Sequence, residues 1–160
     1  MIVAARRAVV ADLDVVADLR RSFVEEMRPL RGGRIWAERD GPREPVGTYL
    51  GAAVDDPVNL VLVGVLDDVV VGYCMTRIET LSTGTRLGRL SELYVEPEAR
   101  EVGVGEAMLG FVVGWCREHG CVGIDSVVLP GLRSSKNFFE TAGFVARAIV
   151  VHHSLELGAE

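Results

Sequence analysis

Two apolar runs separated by a pair of aspartates constrain this chain more than any other feature. Leu60-Val61-Leu62-Val63-Gly64-Val65-Leu66 is continuous and of strand length, Asp67-Asp68 is a two-residue connection, and Val69 to Glu79 is a second run. A connection that short joins antiparallel neighbours, so the pair predicts a central β-hairpin. Upstream, Ile2 to Val10 mixes β-branched and polar residues as a first strand does. Leu13, Val16, Leu19 and Phe23 then recur every three or four residues behind Asp12, a natural helix N-cap. Pro29 and Gly32-Gly33 end that pattern, residues 31–45 read as a polar loop, and Val46 to Val54 reads as a short helix stopped by Asp55-Asp56-Pro57.

Beyond the hairpin, residues 81–88 form a turn and Arg89 to Val95 a strand ended by Pro97. Val104, Met108, Phe111, Val112 and Trp115 make one face of a helix from Gly103 to His119, closed by Gly120. Cys121 to Leu129 reads as a buried strand, Arg133 to Ala142 as a short helix, and Phe144 to Leu155 as a final strand or pair. The order β α α β β β α β α β is that of a layered α+β fold, and no linker or repeat divides residues 1–160, so one domain is expected.

Composition narrows the function. The chain is 49% hydrophobic with a formal net charge of −6, and its basic residues are sixteen Arg and the single Lys136. No basic cluster suits a phosphate backbone, so no nucleic-acid partner is expected, and a cationic or amine-bearing partner fits the balance better. The longest apolar stretches are far too short for a bilayer and no cationic-then-apolar leader opens the chain, so no membrane partner and a cytoplasmic location are expected. Cys74, Cys116 and Cys121 sit in apolar company at spacings that match no zinc or redox motif and read as buried free thiols. His152 and His153, adjacent on a strand, point to opposite faces and cannot share an ion, so no metal is expected. Trp115 reads as core, Trp36 in the polar loop as a candidate substrate contact, and Asp125 either as a polar residue near a substrate or as a strand-end residue facing water.

The chemistry lies where Leu93-Tyr94-Val95 runs through Glu96-Pro97-Glu98-Ala99-Arg100 into Glu101-Val102-Gly103-Val104-Gly105-Glu106. A helix start offers unpaired N–H groups and partial positive charge, and glycines at the entry let the backbone approach a pyrophosphate. It is not a dinucleotide fingerprint, because Met108 stands at the third glycine, and no Gly-Lys-Ser/Thr follows for a Walker loop.

Arg100-Glu101-Val102-Gly103-Val104-Gly105 resembles motif A of the GNAT superfamily of acyl-CoA-dependent N-acetyltransferases, Gln/Arg-x-x-Gly-x-Gly/Ala at this strand-to-helix junction. Asn137-Phe138-Phe139-Glu140-Thr141-Ala142-Gly143-Phe144 is similar to the family's Phe-Tyr/Phe-x-x-x-Gly-Phe ending. The resemblance implies a GNAT fold: a mixed, mostly antiparallel sheet of six or seven strands with helices on both faces and splayed strands 4 and 5. It also implies acetyl-CoA as co-substrate and direct attack of a primary amine in a ternary complex. Polyamines, aminoglycosides and basic peptides are admissible acceptors, and a homodimer through the last strands is admitted. The alternative is a catalytically idle acyl-CoA-binding module.

Carried over residue by residue, Leu93, Tyr94 and Val95 would meet the pantetheine arm through main-chain groups. One of these N–H groups would stabilise the developing oxyanion. Arg100, Glu101, Val102, Gly103, Val104, Gly105 and Glu106 would hold the pyrophosphate. Ser135, Lys136 and Phe139, at relative spacing 0, 1 and 4, would meet the arm from the second helix. Glu101 stands where the family has Gly or a basic residue, and Phe139 stands where a tyrosine often donates a proton to the leaving thiolate. Glu92 is the candidate base, with an ion pair to Arg77 or Arg89 as its other reading, and Tyr94 the candidate positioning group or substitute acid.

Overall fold

A computed structural model describes residues 1–158. It contains β1 (Val3–Arg7), α1 (Leu13–Met27), α2 (Gly33–Ile35), which widens into a π-helical turn (Trp36–Asp40), and α3 (Leu50–Asp55). The hairpin follows as β2 (Asn59–Leu66) and β3 (Val69–Thr80), then β4 (Arg86–Val95), α4 (Val104–Glu118), β5 (Cys121–Ser126) and α5 (Arg133–Thr141). The sheet order is β1-β2-β3-β4-β5; the first four strands are antiparallel neighbours and β5 joins β4 in parallel. Both hairpin-turn residues, Asp67 and Asp68, have positive φ (46° and 66°), the left-handed pair that matches the twist of the flanking strands.

The expected six or seven strands are five among the described residues. Phe144 to Leu155 forms no strand, and β5 ends at Ser126 and not at Leu129. Residues 31–45, read as a loop, carry α2 and the π-helical turn, with Trp36 buried and its ring 4.9 Å from that of Phe23. Asp12 sits at the N-cap of α1 but makes no capping bond. Its carboxylate accepts instead from Val9 N–H (2.8 Å) and from Arg6 (2.7 Å and 3.0 Å).

Both faces of the sheet are covered. Along β2, Leu60 and Leu62 face α4 with Val104, Met108 and Val112, while Val61 and Val63 face the α1 side with Val16, Leu19 and Leu50. This alternation explains why the run is apolar throughout, and each such fully buried side chain contributes about 2 kcal/mol. α4 lies close because glycines flatten the sheet beneath it: a Cβ on Gly64 would stand 2.5 Å from Val104 Cγ1 and one on Gly88 2.6 Å from Cys116 Sγ.

Two irregularities in β4 position the site. Its pairing with β3 runs from Met75↔Glu92 directly to Thr76↔Leu90, so Ser91 is an extra residue and makes a β-bulge. Leu90 therefore packs toward α4, whereas Glu92, two residues on, turns to the opposite face beside Tyr73. The ladder with β5 stops at Leu90↔Ser126, where β5 itself ends; β4 runs on to Val95, and the chain after β5, at Val127 and Val128, parts from it to line a cleft.

Candidate active site

Along a strand, successive backbone groups point to alternate edges. Glu96 N–H donates to Val71 O on β3 (2.8 Å), so the N–H and C=O groups of Leu93 and Val95 face the opposite, splayed edge. Arg100 closes the end of that edge, its Nε donating to Val95 O at 2.8 Å. No β5 residue pairs with β4 beyond Leu90, which leaves Leu93 N–H without a ladder partner there.

The loop that follows is a cradle of donors. Among the described residues, the N–H groups of Glu101, Val102, Gly103, Val104, Gly105 and Glu106 bond to no protein acceptor outside the helix, and the first bond of α4 is Ala107 N–H to Gly103 O (3.0 Å). Positive φ at Glu101 (65°) and Gly103 (100°) turns these groups toward one side. A Cβ on Gly103 would meet nothing within 4 Å, so the concavity is open, whereas one on Gly105 would press on Phe138 at 3.2 Å. The Glu101 and Glu106 side chains are exposed.

A cleft opens where β4 and β5 part. Leu93, Ser91 and Ser126 line its floor, Ser135 and Phe139 of α5 one wall, and Phe23, Met27, Trp36 and Leu132 its α1 end. Ser126 Oγ donates to Leu90 O (3.1 Å) and pins β5 to β4 at the last ladder position, while Ser91 Oγ donates to Met75 O (3.3 Å) and holds the bulge of β4 to β3. Phe139 packs edge-on to Phe138 and against Phe144. Lys136 points away from the cleft, exposed and 3.6 Å from Glu140.

Glu92 and Tyr94 share the face turned to α1 and are not among the cleft-lining residues. Glu92 is only 6% exposed and pairs with neither Arg77 nor Arg89. It accepts from Arg20 Nε (3.0 Å) and Nη2 (3.3 Å) and from Tyr73 O–H (2.8 Å), so both its oxygens are engaged. Burial, reinforced by the Glu92 charge, pushes the Tyr73 phenol well above its ordinary value, so it remains a donor. Tyr94 lies between Phe23 and the guanidinium of Arg100, 5.4 Å from its ring. Burial and then the charge of Glu26 raise its phenol as well. Arg100 binds Glu26 (2.7 Å), which ties α1 to the signature loop.

Arg20, Glu26, Tyr73 and Met27 went unread in the sequence, and Phe23 was read only as part of the apolar face of the first helix. Arg20 carried a signal: it lies on the buried stripe of α1 with Val16, Phe23 and Met27, where a cation requires a carboxylate partner. Asp125 faces outward and pairs with Arg147, and His152 and His153 are exposed in the unpaired C-terminal segment. Among the described residues, no helix is long and apolar enough to cross a membrane.

Residues 16–144 match the family described as Acetyltransferase (GNAT) family. No curated protein matches the chain. Among solved structures it resembles a tetramutant of the BH1408 protein from Bacillus halodurans, with 22% identity, TM-score 0.80, and coverage of 97% of this chain and 100% of that one. It also resembles the aminoglycoside acetyltransferase meta-AAC0020 from an uncultured soil metagenomic sample, in complex with sisomicin: 17% identity, TM-score 0.71, coverage 97% and 96%. A predicted acetyltransferase with acetyl-CoA from Clostridium acetobutylicum has 14% identity and TM-score 0.70, with coverage of 96% and 97%.

Proposed function

Because the chain belongs to the GNAT acetyltransferase family, we propose that it moves an acetyl group from acetyl-CoA to a primary amine at the β4–β5 cleft. The observation that carries this reading is the row of unpaired N–H groups from Glu101 to Glu106 at the start of α4, one loop away from a splayed strand edge. That row suits a pyrophosphate, the free edge at Leu93 suits an amide-bearing arm, and the structural relative that holds acetyl-CoA shares the fold. Glu101 does not oppose this, because its side chain is exposed while its backbone turns inward.

Acetyl-CoA supplies the activated acetyl thioester. Leu93 N–H is the donor for the carbonyl oxygen as it gains charge, and Ser135 and Phe139 hold the arm in the cleft. The amine nitrogen bonds to the acetyl carbon, the carbon–sulfur bond breaks with its electron pair on sulfur, and the proton from nitrogen passes to water. Phe139 has no proton to give. The thiolate leaves without one, since a thiol is a far stronger acid than an amine. Glu92 acts as a positioning residue: through Arg20, which also donates to Val46 O (2.8 Å), it fixes β4 against α1 and the chain before α3. Tyr94 positions Arg100.

Calorimetric titration with acetyl-CoA, free CoA and longer acyl-CoAs tests the reading. Micromolar binding followed by thiol release with an amine is the expected result. Binding without release over a broad amine panel favours an idle coenzyme-binding module, and no binding sinks the coenzyme site.

A further inference from the structure

No charged side chain lines the β4–β5 cleft. Its α1 end is built from Phe23, Met27, Trp36 and Leu132, and its polar side chains are three serine hydroxyls. Four carboxylates on α1, the π-helical turn, β4 and β5 are at least partly buried: Glu26, Asp40, Glu92 and Asp125. Each already holds an arginine: Arg100, Arg39, Arg20 and Arg147 respectively.

A polycation entering this cleft would shed water from several ammonium groups and meet no free carboxylate, a cost that burial makes large. A zwitterionic amino acid would bring a carboxylate with no lining cation to receive it. A monoamine with an apolar body has neither problem. Phe23 and Trp36, whose rings meet edge to face at 66°, offer such a body an aromatic surface, and apolar surroundings favour the unprotonated nitrogen that attack requires.

We propose that the acceptor is a primary monoamine with an uncharged aromatic or aliphatic body, and that Phe23 and Trp36 are the residues that select it. The inference rests on the acetyl-transfer reading and narrows the cationic acceptors that the net charge alone admits.

Two readouts on the full chain test it. The first is tryptophan fluorescence without coenzyme. Phenylethylamine and tryptamine analogues that do not fluoresce should change the signal saturably, spermidine and an aminoglycoside should not, and Trp36→Phe should abolish the response. The second is thiol release from acetyl-CoA, in which kcat/KM for phenylethylamine should exceed that for spermidine by roughly a hundredfold. Leu132→Asp, which puts a carboxylate at the cleft end, should narrow that ratio about tenfold. Spermidine or an aminoglycoside serving as well as phenylethylamine, or no response to any apolar monoamine, overturns the proposal. A Trp36-dependent response with no acetyl transfer leaves the pocket standing and removes the acetyl-transfer reading instead.

Discussion

Ser91 is one residue too many for its partner strand, and that surplus decides the surroundings of Glu92. By simple alternation Glu92 would sit with Leu90 under α4; the bulge sends it to the other face, into an ion pair with Arg20 that is nearly closed to solvent. Removing one member of such a pair strands a buried charge. Glu92→Gln should therefore lower the unfolding free energy by about 3 kcal/mol, read by urea denaturation, and Arg20→Met combined with Glu92→Leu should cost less than either single change. Unchanged stability with lost turnover would return Glu92 to the role of base. The thiols give a second residue-scale expectation. Burial pushes Cys74 and Cys116 up to about 12, so neither forms thiolate near neutrality. Alkylation of the native chain should reach Cys121 at most, with no added labelling of the other two between about pH 7 and 10, while the denatured chain labels at all three. Rapid native labelling of Cys74 would contradict the packing under α4.

At the scale of elements, the start of α4 separates two uses of glycine. Gly103 has φ 100° and open space where a side chain would go, whereas Gly105 has none because Phe138 of α5 stands over it. Gly103→Asp strains the backbone locally at φ 100° yet should keep the fold, since its side chain meets open space, and should weaken acetyl-CoA by at least about a hundredfold through like charge in the donor cradle. Equal affinity in titration would show that the pyrophosphate lies elsewhere. This cradle was legible in the sequence because it depends on backbone groups, and glycine spacing reports backbone directly. Of the three α5 residues placed on one face by spacing, Ser135 and Phe139 line the cleft while Lys136 lies exposed beside Glu140, one position off the facing stripe. The surroundings of Glu92 and Tyr94 were not legible, since a bulge leaves no periodic trace and an ion pair 72 residues apart in the chain has no local signature. The loop around Trp36 was misread for a related reason: its neighbours are polar, but a π-helical turn folds the indole inward onto Phe23, where it lines the cleft. The fifth strand was read three residues too long because Val127, Val128 and Leu129 continue the apolar run after the ladder has ended.

The whole molecule leaves one pairing unfinished. β5 is the last strand of the sheet, and among the described residues nothing pairs with its outer edge. The segment after α5 is rich in β-branched residues yet makes no ladder; Val145, Ile149, Val150, Val151 and Leu155 are each between 84% and 89% exposed. Beyond Phe144, which packs on Phe139, the ion pairs of Arg147 with Asp125 and Arg34 with Glu156 (2.8 Å) hold this segment to the body. Ile149-Val150-Val151 puts apolar side chains on both faces, the pattern of a strand covered on both sides. An unpaired edge and an unpaired strand on one chain are self-complementary under two-fold symmetry, so a second copy satisfies both at once. The chain should sediment at twice 17.3 kDa, and its melting temperature should rise with protein concentration, because assembly stabilises by mass action. Val150→Asp should give a monomer whose melting temperature no longer depends on concentration, with its acetyl-CoA titration unchanged. Sedimentation at the single-chain mass across tens of micromolar would sink the pairing and leave the apolar segment for a different partner strand to cover.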